Sequence, residues 1–145
     1  MEKKQTVLTG ITTSGTPHLG NLVGAILPAI EASSEEKNQS FLFLADYHSL
    51  IKNTDSELTH ASSFEIAACW LACGLDPKEV VFYRQSDISH IFELAWILGC
   101  MTSKGLLNRA HAYKAALAEN ENAGSSDSDK GITMGLYNYP ILMAA

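Results

Sequence analysis

Thr6-Val7-Leu8-Thr9-Gly10, continued through Ile11 by Thr12-Thr13-Ser14-Gly15-Thr16-Pro17-His18-Leu19-Gly20-Asn21, is the stretch on which the fold turns. A short apolar strand enters a small, hydroxyl-rich, glycine-punctuated turn. An amphipathic helix then runs from Leu19 toward Glu36. Such a turn at the carboxyl end of a strand is where open α/β sheets bind nucleotides. The helix after it is expected to face an anion with unpaired backbone N–H groups and the positive end of its dipole. His18 adds hydrogen-bonding capacity at that point and suits a polyanion such as ATP.

Two common fingerprints are excluded. Gly15 and Gly20 have the spacing of a Walker A loop, but Asn21-Leu22 follow where Lys and Ser/Thr belong, so the cation that reaches the outer phosphates is missing from the loop. Gly-x-Gly-x-x-Gly is also absent, which disfavours a dinucleotide-binding motif. His18-Leu19-Gly20-Asn21 remains, on the first turn of a helix.

Outward from this turn the chain alternates. Strands are expected near 6–10, 41–45 and 80–83, with a helix from Leu19 that Pro28 kinks or divides. The continuous apolar run Phe41-Leu42-Phe43-Leu44-Ala45 reads as a strand covered on both faces. Thr54-x-x-Glu57 reads as a capping box opening a helix whose apolar stripe is Ala61, Phe64, Ala68 and Leu71; Gly74 ends it and Asp76-Pro77 turn the chain. This β-α-β-α-β series predicts a Rossmann-like α/β fold, a parallel sheet with flanking helices. Helices near 90–101 and 104–119 follow, then a loop rich in Asn, Gly, Ser and Asp from Glu119 to Lys130, mobile by composition.

The composition is that of a soluble globular chain, 46% hydrophobic and 18% charged. A net charge of −6 argues against a general nucleic-acid-binding surface on this piece. Cys69, Cys73 and Cys100 make no Cys-x-x-Cys pair; Cys69 and Cys73, one turn apart in an apolar helix, are expected as buried thiols. No metal-ligand cluster or carboxylate pair is visible. Met1-Glu2-Lys3-Lys4-Gln5 runs directly into a strand too short and polar for a signal peptide, and no run approaches a membrane span. A reducing cytoplasm fits these features.

Three later segments extend the pattern: Asp46-Tyr47-His48-Ser49-Leu50 after the second strand, Gly105 to Lys114, and Gly135-Leu136-Tyr137-Asn138-Tyr139-Pro140-Ile141-Leu142-Met143-Ala144-Ala145. With the His18 turn, in this order and spacing, they resemble the bacterial tryptophanyl-tRNA synthetases of class I across essentially the whole chain. The resemblance implies an ATP-dependent ligase that joins L-tryptophan to tRNA(Trp) through tryptophanyl-adenylate. It places ATP, brought as its Mg2+ complex, on Thr12, Thr13, Ser14, Gly15, His18, Gly20, Asn21 and Gly24, with His18 and Asn21 as the catalytic pair and no tightly bound cofactor or metal. It places tryptophan against Gly10, His48, Tyr139 and Met143. His48 would meet the substrate's ammonium or carboxylate, and Asp46 would orient it or cap the next turn. A homodimer is implied, its interface drawing on the helices after the third strand. Ile91, Phe92, Leu94, Ala95, Ile97 and Leu98 are apolar nearly all round, which packing within one chain explains equally.

Residues 1–145 would then be the N-terminal part of the nucleotide-binding catalytic domain, without its remainder, the Lys-Met-Ser-Lys-Ser loop or the anticodon-binding domain. Tryptophan activation by these residues alone is accordingly expected to be negligible. Two departures stand out: Thr12 occupies the place of a longer Gln in many members, and His18 replaces a frequent Thr. Arg109, His111 and Lys114 read as a solvated helix face, with phosphate contact the alternative. The competing readings are a tyrosyl-tRNA synthetase, a non-catalytic adenine-nucleotide-binding domain, and a small nucleotidyltransferase, which would leave the Tyr139–Met143 segment unexplained.

Overall fold

Three apolar runs become three parallel strands: β1 (Gln5–Thr12), β2 (Asn38–Ala45) and β3 (Val81–Arg84), in the order β1-β2-β3. The structure is a computed structural model describing residues 4–145; Met1, Glu2 and Lys3, which carry part of the amino-terminal reading, lie outside the described residues. The chain forms two compact units, one through Asp87 and one from Ile88 to Ala145.

In the first unit β1 pairs with β2 from Gln5↔Asn38 to Thr12↔Ala45, and Phe41 to Leu44 of β2 pair with Val81 to Arg84 of β3. Each strand is a little longer than the apolar run that announced it or displaced by one residue. β2 is less enclosed than expected. Ser40, Leu42 and Leu44 are buried, but Phe41 and Phe43 on the opposite face are half-exposed, Phe43 stacking on Tyr83 at 5.7 Å. The core gathers Ile26, Leu42, Ile66 and Trp70, all at most 2% exposed, against the covered face. At roughly 1.5–3 kcal/mol for each large apolar side chain removed from water, this cluster is the chief stabiliser of the unit.

Helix α1 (Leu19–Asn21) continues through a π turn at Leu22–Ile26 into α2 (Leu27–Ser33). Pro28 divides the rod as expected, and the means is visible. Proline lacks an N–H and its ring crowds the carbonyl four residues back. The wider π turn immediately before it, closed by Leu27 N–H to the Leu22 carbonyl, relieves both.

After the short α3 (Asp46–Ser49), α4 (Ser56–Ala72) departs from the sequence reading twice. Its cap is Asp55, not Thr54: the Asp55 carboxylate accepts from the N–H groups of Glu57 and Leu58 at 3.0 and 3.1 Å, and a carboxylate there also suits the helix dipole. Its buried face is Ser62, Ser63, Ile66 and Trp70, while Ala61, Phe64, Ala68 and Leu71 point outward, Phe64 at 65% exposure beside His60. Apolar residues surround this helix, so periodicity cannot choose a face; the small serines, Ser63 donating to the Thr59 carbonyl, face the packed side. Gly74, at φ +102°, ends the helix as expected. Cys69 and Cys73 prove only partly buried, and Cys100 is exposed.

The second unit is helical: α5 (Ser89–Met101), α6 (Lys104–Leu107), α7 (His111–Asn122) and α8 (Met134–Ala144). The single helix expected over 104–119 is broken at Asn108–Ala110. There the Tyr137 hydroxyl reaches the Lys104 carbonyl and Asn108 Oδ1, at 3.0 and 2.8 Å, a long-range contact no local pattern announces. Arg109 therefore lies outside the helix that carries His111 and Lys114; all three are exposed. The helix also runs on to Asn122, and the loop after it is tied down. Asn120 Nδ2 donates to the carbonyls of Ser128 and Lys130, and the buried Tyr113 donates to Asp129 at 2.9 Å. That hydrogen bond raises the Tyr113 hydroxyl above its ordinary pKa. No helix among the described residues is long and apolar enough to cross a membrane.

Candidate functional site

At the carboxyl end of β1 the loop makes a polar cavity of about 350 Å3 lined by Thr12, Ser14, Gly15, Thr16, His18 and Asn21, with Ile11, Pro17, Lys52 and Ile66 completing the wall. Gly15 turns at φ +153°, a backbone that side-chain-bearing residues rarely adopt. Thr16 Oγ1 donates to Glu65 Oε2 at 2.9 Å, which fastens the far side of the loop to α4.

His18 and Asn21 behave as a reciprocal cap. His18 Nδ1 accepts the Gly20 N–H at 3.1 Å, and Asn21 Oδ1 accepts the His18 N–H at 3.1 Å. The Gly20 N–H is thus already satisfied, contrary to the expectation that the first turn offers it to an anion. Gly20 has a local reason as well: a Cβ there would stand 2.9 Å from the His18 ring, so glycine is what lets the imidazole fold back over the turn. Gly10 is similar, since its missing Cβ leaves room for the Phe43 ring, 2.6 Å from where that atom would be.

Of the expected nucleotide residues, Thr12, Ser14, Gly15, His18 and Asn21 line the cavity together. Thr13 does not: its side chain is fully buried, its hydroxyl 3.4 Å from the Ser49 hydroxyl, leaving only its backbone for a ligand. Gly20 and Gly24 lie outside the lining.

His48 stands just past the carboxyl end of β2, in α3, held by residues the sequence did not single out. Gln85, buried, points its Oε1 at both the His48 N–H (3.3 Å) and His48 Nδ1 (3.1 Å). The backbone N–H can only donate, so the carboxamide must present its oxygen there, and Nδ1 donates to the same oxygen. Nε2 is left buried and, among the described residues, without a partner. Asp46 does not reach His48; it accepts from the Ser86 N–H and hydroxyl and from the Tyr47 N–H. Gln85-Ser86 therefore clasp the β2–α3 turn from the end of β3. Next to them Arg84 forms a two-point pair with Asp87, whose hydrogen bond holds the carboxyl below its usual range. The available signal was positional: polar residues follow each strand at its carboxyl end.

Tyr139 and Met143 belong to the second unit. They share a face of α8, Tyr139 half-buried and Met143 68% exposed. The grooves of about 580 and 380 Å3 in that unit are lined by other residues, among them Phe92, Trp96, Tyr137 and Ile141. Among the described residues no group of His, Cys, Asp and Glu could hold a metal ion.

The family model for tRNA synthetases class I (W and Y) matches residues 1–145. A tryptophan–tRNA ligase of Neisseria meningitidis is 60% identical over 145 residues, covering all of this chain and 43% of the relative. One from Xylella fastidiosa is 63% identical over 139 residues, 96% of this chain and 32% of the relative. The crystal structure of tryptophanyl-tRNA synthetase from Campylobacter jejuni complexed with ADP and tryptophan superposes with a TM-score of 0.79 at 41% identity, covering 97% of this chain and 40% of that one. The chain thus spans about a third to two-fifths of the length of these relatives.

Proposed function

The chain belongs to the class I tRNA synthetases for tryptophan and tyrosine, and on that footing we propose that it serves as the N-terminal part of the catalytic domain of a tryptophan–tRNA ligase. The complete enzyme would activate L-tryptophan with ATP and pass it to tRNA(Trp). The α-carboxylate attacks the α-phosphorus in line, and the bond to the pyrophosphate oxygen breaks. A carboxylate is already ionised at neutral pH, so no side chain has to remove its proton. The work is positioning and stabilisation of charge on phosphoryl oxygens. The cavity suits this: hydroxyls of Thr12, Ser14 and Thr16, the imidazole of His18 and the carboxamide of Asn21, with no carboxylate in the lining. Mg2+ would arrive with ATP as part of the substrate complex.

For tryptophan, Gly10 and His48 are the binding residues we assign in the first unit; for Tyr139 and Met143, on α8, the same role rests on the family resemblance alone. In the neutral ring, with Nδ1 donating to Gln85, Nε2 of His48 is an acceptor, a role that suits the substrate's ammonium better than its carboxylate. The aromatic ring and the thioether suit a flat indole. The half-open apolar surface of α5, where Leu94 is 42% and Ile97 54% exposed, supports a homodimer, since packing within the chain covers only part of that helix. A cytoplasmic location accords with free cysteines.

The observation that carries this reading is the polar cavity built by residues 11–21 at the carboxyl end of β1. Titration calorimetry of the chain with MgATP, tryptophan and tyrosine tests it. Binding of MgATP that falls in His18→Ala, and a preference for tryptophan over tyrosine, are expected. No MgATP binding, or a preference for tyrosine, would overturn it. Tryptophan-dependent ATP–pyrophosphate exchange by these 145 residues alone is expected to be negligible.

A further inference from the structure

Lys52 supplies what the glycine-rich loop lacks. Asn21, not a lysine, comes directly after Gly20, yet the fold brings a lysine to the same cavity from a turn more than thirty residues further along the chain. We infer that Lys52 is a phosphate-binding residue of this chain, its ammonium answering the polyphosphate of a nucleotide held by residues 12–18. The inference deepens the nucleotide reading above and rests on it.

Three observations carry it. Lys52 is the one lysine or arginine in the lining of the cavity, and no carboxylate in that lining competes for it. Its ammonium makes no ion pair or hydrogen bond with the described residues, whereas Lys37 and Arg84 are each paired to a neighbouring carboxylate. Its root is fixed relative to the loop. The Lys52 and Asn53 N–H groups donate to the Ser49 carbonyl at 3.0 and 2.9 Å, and the buried Ser49 hydroxyl lies against the buried Thr13 hydroxyl of the loop itself. A flexible cationic arm is thus planted on a rigid base beside a polar cavity, on a chain whose net charge is −6. An unpaired cation in that setting is a local feature of the cavity, not part of a basic surface. Lysine serves such sites as a mobile point charge, whereas arginine would bind as a fixed planar fork.

The test compares MgATP with adenosine, by calorimetry, on the wild-type chain and on Lys52→Gln, which keeps much of the length without the charge. Lys52 is exposed, and circular dichroism of the variant verifies the fold. MgATP affinity is expected to fall on the order of ten-fold, the usual scale of one charge-assisted hydrogen bond, and to lose part of its salt dependence. Adenosine affinity is expected to stay unchanged. Lys52→Arg should recover most of the MgATP affinity, and Lys52→Glu should lose more than Lys52→Gln. Wild-type binding of MgATP that Lys52→Gln leaves intact, or an equal loss for adenosine, overturns the inference while the nucleotide reading stands. A wild-type chain that binds neither ligand removes both.

Discussion

The two units differ in how much of their stability they generate internally. The first closes around Ile26, Leu42, Ile66 and Trp70, side chains with essentially no contact with water. The second has no comparable centre: Leu107, Tyr113 and Ile141 are its most buried apolar residues, each 8–9% exposed, and α5 buries none of its thirteen residues. Trp96, Met101 and Met134 stand 76%, 81% and 67% exposed. A sheet gathers residues distant in sequence onto one face, whereas short helices joined by turns form a surface before they form an interior. The contrast teaches that the polar cavity rests on a well-packed frame, while the helical unit displays apolar area of the kind that marks interaction surfaces.

The two tryptophans, one in each unit, give the sharpest way to break this comparison. Trp70→Ala should cost about 3–5 kcal/mol, the usual price of removing a buried indole, whereas Trp96→Ala should stay within about 0.5 kcal/mol, as surface substitutions do. Urea denaturation measures both. Equal losses would show that Trp96 is covered in solution. A smaller contrast separates the polar clasps. Gln85→Leu leaves the His48 N–H and Nδ1 without their shared acceptor and should destabilise by about 1–3 kcal/mol, while Tyr137→Phe, on a more exposed pair, should cost no more than about 1 kcal/mol. Thermal unfolding reads that difference; reversal of the order would place the tighter polar network in the helical unit.

The smallest effect is kinetic. Burial pushes the Cys69 thiol above its ordinary pKa, the neighbouring Cys73 adding to the shift. A raised value means less thiolate at a given pH, so alkylation at Cys69 should lag Cys100 at neutral pH and catch up only as pH rises past the ordinary thiol range. Mass spectrometry of timed iodoacetamide labelling follows both sites. Equal rates at neutral pH would mean that α4 opens on the labelling timescale.

The three parallel strands, the division at Pro28, the stop at Gly74 and five of the cavity residues were legible because each depends on neighbours in sequence or on backbone chemistry. The inward face of α4 was not. When apolar residues ring a helix, the choice between Phe64 outside and Ser62, Ser63 inside belongs to the sheet it meets. The same holds for the break at Asn108, made by Tyr137 from another helix, and for Gln85 behind His48. Lys52 was invisible for a further reason. The absence of a lysine from a loop is a statement about one segment, and a cavity recruits its wall from several.

The cap on the first turn also decides which form of imidazole His18 can be. Because Nδ1 receives the Gly20 N–H, it carries no hydrogen, and in the neutral ring the proton must reside on Nε2. That tautomer offers a donor to a phosphoryl oxygen without needing a charge, and Nε2 has no lone pair with which to act as a base.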